Sequence, residues 1–256
     1  MSSPRERVFN VPAIVLAIMA AIGLVHAVFV LALTPPQQNE FLNLFAFIPA
    51  RYDFRVLSTA SWAIGGGAAV WTFVTYAFIH GNLIHLGINA VWLLAFGTPV
   101  ARRFGPLRFT IFFGATAAAG AAAHLATHFG QHVAMVGASA AISGTLAAAT
   151  RFAFQRGGPL GALGRGGDGE AYRVPALPLS GMLGDPRVLA FLAVWFGLNL
   201  LFGLGTVAAP GMEQGIAWQA HIGGFLTGLF CFALFDPVRH SVANGEQEPP
   251  ERETPL

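Results

Sequence analysis

Lysine is absent from this 256-residue sequence, cysteine occurs once, and only 10% of the residues are charged. A soluble domain ordinarily carries about 25% charged residues, so a chain that is 55% hydrophobic and this poor in charge is excluded from that class. Its 14 basic residues, all arginine, stand against 12 acidic ones; the net charge of +2 without a clustered basic face excludes a nucleic-acid binder. The lone Cys231, inside an apolar run, excludes an intramolecular disulfide and a cysteine-based zinc site. No internal repeat is evident, which argues against a transporter built from inverted halves.

What the sequence does contain is long apolar runs. A transmembrane helix needs about 20 mostly apolar residues, and six stretches meet that requirement: 11–33, 83–100, 109–127, 137–154, 188–208 and 217–235. The first is too long for a signal peptide and lacks a small-residue cleavage site before a polar start, so it reads as a retained helix. Twelve arginines fall on one side of these spans and only Arg51 and Arg55 on the other. The positive-inside rule therefore places both termini in the cytoplasm. The expected organisation is a cytoplasmic N-terminus over 1–10, an all-α, polytopic six-helix membrane domain over 11–236, and a disordered cytoplasmic tail over 237–256. Within the domain lie a long outer loop at 34–71, whose apolar patch 41–48 is expected in the membrane interface, and a Gly- and Pro-rich cytoplasmic loop at 157–186 expected to be flexible. Trp62, Trp71 and Trp218 fall near outer boundaries, as interfacial anchors do.

Polar groups inside spans are costly and are functional candidates by default. His80, His85 and Asn89 stand at the start of the second span, with His85 and Asn89 one turn apart on one face. Ser139 and Ser143 open the fourth, and His221 lies early in the sixth. With about 1.5 Å of rise per helical residue, Asn89 lies about 20 Å from Arg102, Ser139 about 18 Å from Arg151, and His221 about 22 Å from Asp236. These three residues share one level, roughly 10 Å below the outer surface of a core about 30 Å thick, so a water-accessible cavity open to the outside is needed to reach them. The fourth span is almost entirely small residues around Gly137, Ala140 and Gly144, so it is expected at the centre; Gly224 and Gly228 share the His221 face and let the sixth approach it.

A serine hydroxyl becomes a nucleophile when an imidazole takes its proton, and Ser139 with His221 meets that requirement. Asn89, His85 and the backbone N–H of Ser139 supply donors for a developing oxyanion. No acidic residue sits in these spans to orient the histidine, so a dyad is expected. The stretches His80–Asn89, Gly137–Ala140 and Ala220–Gly228 resemble the HxxxxHxxxN, GxSG and AHxxGxxxG motifs of the rhomboid family of intramembrane serine proteases, in order, over about Trp71 to Asp236. The resemblance implies a six-helix rhomboid-like bundle with Ser139 as nucleophile, His221 as general base and then acid, His85 and Asn89 as oxyanion-side donors, and His80 anchoring a loop. It also implies transmembrane protein substrates cut near the outer face of the lipid bilayer, and no metal or organic cofactor. A bacterial inner membrane is the expected location, from the arginine-only composition and the absence of an appended targeting region.

Three departures from the family pattern stand out. Ala140 replaces the last glycine of GxSG; Trp71-Thr72 stands where many members have Trp-Arg; and Ser143 occupies a position that is often aromatic and stacked on the histidine, which leaves His221 less restrained. Two other functions compete. One is a catalytically silent rhomboid-like protein that binds transmembrane clients, against which the presence of both Ser139 and His221 argues. The other is a haem or electron-transfer protein built on His124, His128 and His132, spaced i, i+4, i+8; a solvated outer-face cluster is the expected reading of those three. His26 is expected to be a satisfied interior histidine.

Overall fold

The computed structural model describes residues 11–57, 67–160, 169–204 and 216–238. Among them the regular structure is helical, apart from an isolated antiparallel bridge between Phe47 and Met135. Helix α1 (Ala13–Leu31) is followed by α2 (Pro35–Phe45), which starts with prolines in its first turn, where their missing N–H costs nothing. The Gln37 side chain caps it through the Thr34 N–H and hydroxyl. Helix α3 (Ala68–Thr75) leads to α4 (Leu83–Phe104), which Asn82 opens by accepting the His85 N–H at 2.9 Å and which passes through one π turn at Leu93–Gly97. Then follow α5 (Pro106–His128), α6 (Ser139–Thr150), α7 (Pro186–Gly203) and α8 (Trp218–Phe230).

Among the described residues four helices, α1, α4, α5 and α7, are long and apolar enough to cross a membrane. The expected fourth and sixth spans are shorter: α6 has 12 residues and α8 has 13, about 18 and 20 Å against a core of about 30 Å. Every residue of α6 from Ala140 to Thr150 is buried. Enclosed by other helices rather than lipid, this helix can begin part-way through the membrane, because backbone leaves the helical state there only where protein or a wet cavity receives it.

Small residues set the centre of the bundle. A Cβ on Gly224 would run into the Ala140 carbonyl, one on Gly228 into the backbone of Gly144, and one on Gly144 into Thr116. Ala140, in place of the motif's glycine, lies opposite Gly120 of α5, where a Cβ would collide with its methyl. The space that the motif's glycine would leave is thus provided by a neighbouring helix.

Two expected loops are built differently. The outer segment 34–71 contains α2 and the start of α3, and Ala46, Phe47 and Ile48 of its apolar patch lie in the core rather than in the interface. Phe47 pairs with Met135 through both backbone bonds, at 2.8 and 3.1 Å. Of the stretch 157–186, expected to be cytoplasmic and flexible, residues 169–186 pack on the bundle, with Ala171, Ala176 and Met182 buried. Its Tyr172 and Val174 carbonyls accept from Arg103 and its Leu177 carbonyl from Arg151, so buried guanidinium groups hold its backbone while Tyr172, Val174, Leu177 and Leu179 pack against the core. The terminal segments 1–10 and 239–256, Trp62, Arg165 and the end of the expected fifth span beyond 204 lie outside the described residues.

Candidate functional site

Ser139 is the first residue of α6, which leaves its backbone N–H at the helix N-terminus without an intrahelical partner. The chain reaches it through an extended approach. Met135 is paired with Phe47, the Gly137 N–H donates to the Tyr76 carbonyl at 3.0 Å, and the Ala138 N–H faces His80 Nε2 at 3.5 Å. Gly137 turns the chain with φ of +117°, a left-handed conformation that disfavours any side chain. A Cβ there would also lie 2.6 Å from His85 Nε2. His80 is fully buried, and its carbonyl accepts from His26 Nδ1 at 3.0 Å, so His26 is an interior histidine with a partner.

His221 lies in the first turn of α8, and the close α6–α8 approach brings its Nε2 to 2.7 Å from Ser139 Oγ. Its Nδ1 is hydrogen-bonded to Oδ1 of Asn199, from the middle of α7. Asn199 is missing from the candidates drawn from the sequence, although the rule that singled out Asn89, a polar side chain within an apolar span, applies to it equally. The expectation that His221 is loosely held is therefore corrected: Ser143 turns its hydroxyl to the Ser139 carbonyl at 2.7 Å, and the restraint on the ring comes from α7.

Two cavities meet at this pair. One, of about 710 Å³, has a mixed polar lining that includes Tyr76, His85, Gly137, Ser139 and His221. The other, of about 190 Å³, is walled by Ile88, Trp92, Leu146, Trp195 and Phe202, with Asn89, Asn199, Ser139 and His221 at its polar end. His85 thus flanks the serine from the polar side and Asn89 from the apolar side. Asn89 donates to the His85 carbonyl at 2.9 Å, which uses one of its two amide hydrogens.

Of the three histidines expected to form a solvated cluster, His132 is exposed and His128 half-buried, but His124 is not solvated on the outer face: with His128 it lines the larger cavity. His124 is 2% exposed, stacked on His128 with ring centroids 4.2 Å apart, and neither of its ring nitrogens has a partner among the described residues. It belongs to the inward stripe Phe113, Ala117, Gly120 and Ala121, a face that periodicity alone does not distinguish in so uniformly apolar a helix. Among the described residues no three of His, Cys, Asp and Glu form a set able to hold a metal.

A family model described as the Rhomboid domain matches residues 67–236, a range that contains all three motifs, both cavities and every helix from α3 to α8. A search of curated protein sequences found no match.

Proposed function

The chain belongs to the rhomboid family, a family of intramembrane proteases, and is an integral multi-pass membrane protein; we propose that it is a serine endopeptidase that cuts transmembrane proteins near the outer membrane face with Ser139 and His221. The observation that carries this reading is the 2.7 Å contact between Ser139 Oγ and His221 Nε2 at the junction of a polar and an apolar cavity.

In the reaction, His221 Nε2 takes the Ser139 hydroxyl proton as Oγ attacks the scissile carbonyl carbon. The oxyanion that forms is met by the Ser139 N–H at the helix N-terminus and by the side chains of His85 and Asn89, each such donor being worth about 10²–10³ in rate. His221 then returns the proton to the leaving amine, which departs and leaves an acyl ester on Ser139. Water from the larger cavity gives its proton to His221 and attacks the ester, the carboxylate product leaves, and the serine is restored. His80 anchors the approach to Ser139, while Gly137, Ala140, Gly144, Gly224 and Gly228 provide the close packing that sets its distance from His221. The apolar cavity accepts an apolar side chain of the substrate.

In this reading six membrane segments, α6 and α8 among them, place both termini in the cytoplasm of a bacterial cell, with α2 and α3 outside; the arginine distribution supports it. In a Cys231→Ala background, Asn43→Cys should react with a membrane-impermeant maleimide in intact cells and Glu170→Cys only after lysis; the opposite pattern overturns the orientation. For the activity, detergent-solubilised protein is treated with a fluorescent fluorophosphonate and assayed on a transmembrane substrate. Wild type should label and cleave, and Ser139→Ala and His221→Ala should do neither. A folded wild type that does not label, or a Ser139→Ala variant that still cleaves, overturns the assignment, the former in favour of a client-binding protein.

A further inference from the structure

Asn199 is 9% exposed, and both ends of its carboxamide are engaged. Nδ2 lies 2.8 Å from the Trp195 carbonyl one turn earlier, and Oδ1 faces His221 Nδ1. A carbonyl oxygen can only accept, so the amide must present its NH₂ to Trp195 and its oxygen to the imidazole. That oxygen can likewise only accept, so His221 must carry a hydrogen on Nδ1. A neutral imidazole has one N–H, which leaves the Nε2 lone pair directed at Ser139 Oγ, 2.7 Å away.

We infer that Asn199 is the positioning residue of this site, whose carboxamide oxygen fixes the His221 tautomer and ring orientation that let Nε2 take the Ser139 proton. The inference rests on the reading of Ser139 as nucleophile. Three features make Asn199 suited to the task. It arrives on a helix different from those of the serine and the histidine, so the ring is gripped from two sides. Its own orientation is locked by a backbone carbonyl on its own helix and does not depend on an exposed loop. And it is neutral: a carboxylate beside the apolar cavity walled by Trp195 and Phe202 would carry a large desolvation cost, whereas an amide accepts the same hydrogen bond without a buried charge. No carboxylate is required of the apolar spans, which contain none.

The test uses the full chain in detergent or nanodiscs. Asn199→Leu keeps the approximate shape and removes the acceptor; Asn199→Asp keeps the acceptor and loses the bond to Trp195. The leucine variant should keep the wild-type KM for a transmembrane substrate and lose about 10- to 10⁴-fold in kcat, the span between losing a group that orients a metal-bound histidine and one that orients a catalytic histidine. The aspartate variant keeps an acceptor for the Nδ1 hydrogen but buries a carboxyl group and loses the Trp195 bond, so it should recover part of that loss. Independently of turnover, ¹⁵N-histidine NMR, with the His221 signal assigned by its disappearance in His221→Ala, should show the hydrogen on Nδ1 in wild type and in Ser139→Ala, and a mixture of tautomers in Asn199→Leu. Wild-type kcat in a folded Asn199→Leu variant, or a wild-type ring protonated on Nε2 alone, overturns the inference. Should the leucine variant not fold, the wild-type spectrum decides. If wild type shows no Ser139-dependent labelling, the protease reading fails first, and the inference that rests on it falls with it, whatever the spectrum shows.

Discussion

Arg51 is 7% exposed although it carries a full charge. The end of α2 explains it. The last carbonyls of a helix have no intrahelical donors, and here Asn43 and Ala46 accept from Arg51, Leu44 from Trp71 Nε1 at 2.8 Å and Phe45 from Thr75 Oγ1 at 2.7 Å. The same guanidinium reaches Thr72 Oγ1 at 3.1 Å, so the position where related chains carry an arginine receives one from elsewhere in this chain. Burial pulls Arg51 below its ordinary pKa without discharging it. Arg51→Ala should cost about 1–3 kcal/mol in unfolding experiments in detergent through the carbonyls left unpaired. Lysine should not restore it, since an ammonium lacks the planar fork; full restoration would show that charge alone matters. Gly224 tests the packing in the same way. Gly224→Ala should destabilise by about 1–3 kcal/mol and depress serine labelling, because the Ala140 backbone must move and carry Ser139 from His221. Gly114→Ala, with open space around it on α5, is the control and should be neutral or slightly stabilising.

Among the helices, α7 is the one whose start is set by charge. Asp185 accepts the Arg187 N–H at 2.9 Å as N-cap and pairs with the Arg187 side chain at 2.8 Å. The Arg187 hydrogen bond holds the Asp185 carboxyl well below its ordinary value, at about 2. A carboxylate with a depressed folded-state pKa contributes stability that is complete above the ordinary carboxylate range and is lost as the pH falls through the depressed value. The thermal midpoint should therefore fall between about pH 4 and pH 2, and Asp185→Asn, which keeps a capping oxygen, should flatten that part of the curve. An unchanged curve in the variant would assign the acid sensitivity to other groups. Helix α6 shows the opposite design: it carries no charge, and its start is set by the backbone pairing of Phe47 with Met135 and of Tyr76 with Gly137.

Across the whole molecule, the ends of the bundle opposite the Ser139 site are tied at Arg103. Its guanidinium forms a two-pronged bond with Asp236 at 2.8 Å, with both side chains essentially unexposed, and lies over the Phe152 ring at 4.6 Å. Its Nη1 hydrogens go to the Tyr172 and Val174 carbonyls, so one residue joins α4, the segment after α6 and the chain beyond α8. Removing one member of a buried pair leaves an uncompensated charge, so Asp236→Asn should cost about 3–5 kcal/mol. The double variant Arg103→Met with Asp236→Leu should be less destabilised than either single change. Additive losses in denaturant unfolding would show that the pair acts through its separate contacts rather than as a unit.

Several features were legible in the sequence because they depend on one-dimensional quantities. Apolar run length marked the helices, and polar residues within apolar runs singled out Ser139 and His221, which meet at 2.7 Å. Motif spacing identified the family, which the domain match over 67–236 shows. What the tertiary structure decided depends on which side of a helix faces which neighbour. In chains this uniformly apolar the polar–apolar contrast that reports rotation is missing, so the burial of His124 and the meeting of Asn199 with His221 could not be read. Nor could the reach of Arg51 to Thr72 or of Arg103 to Tyr172 and Val174, because a long cation finds its acceptors only once distant backbone carbonyls have been gathered around it.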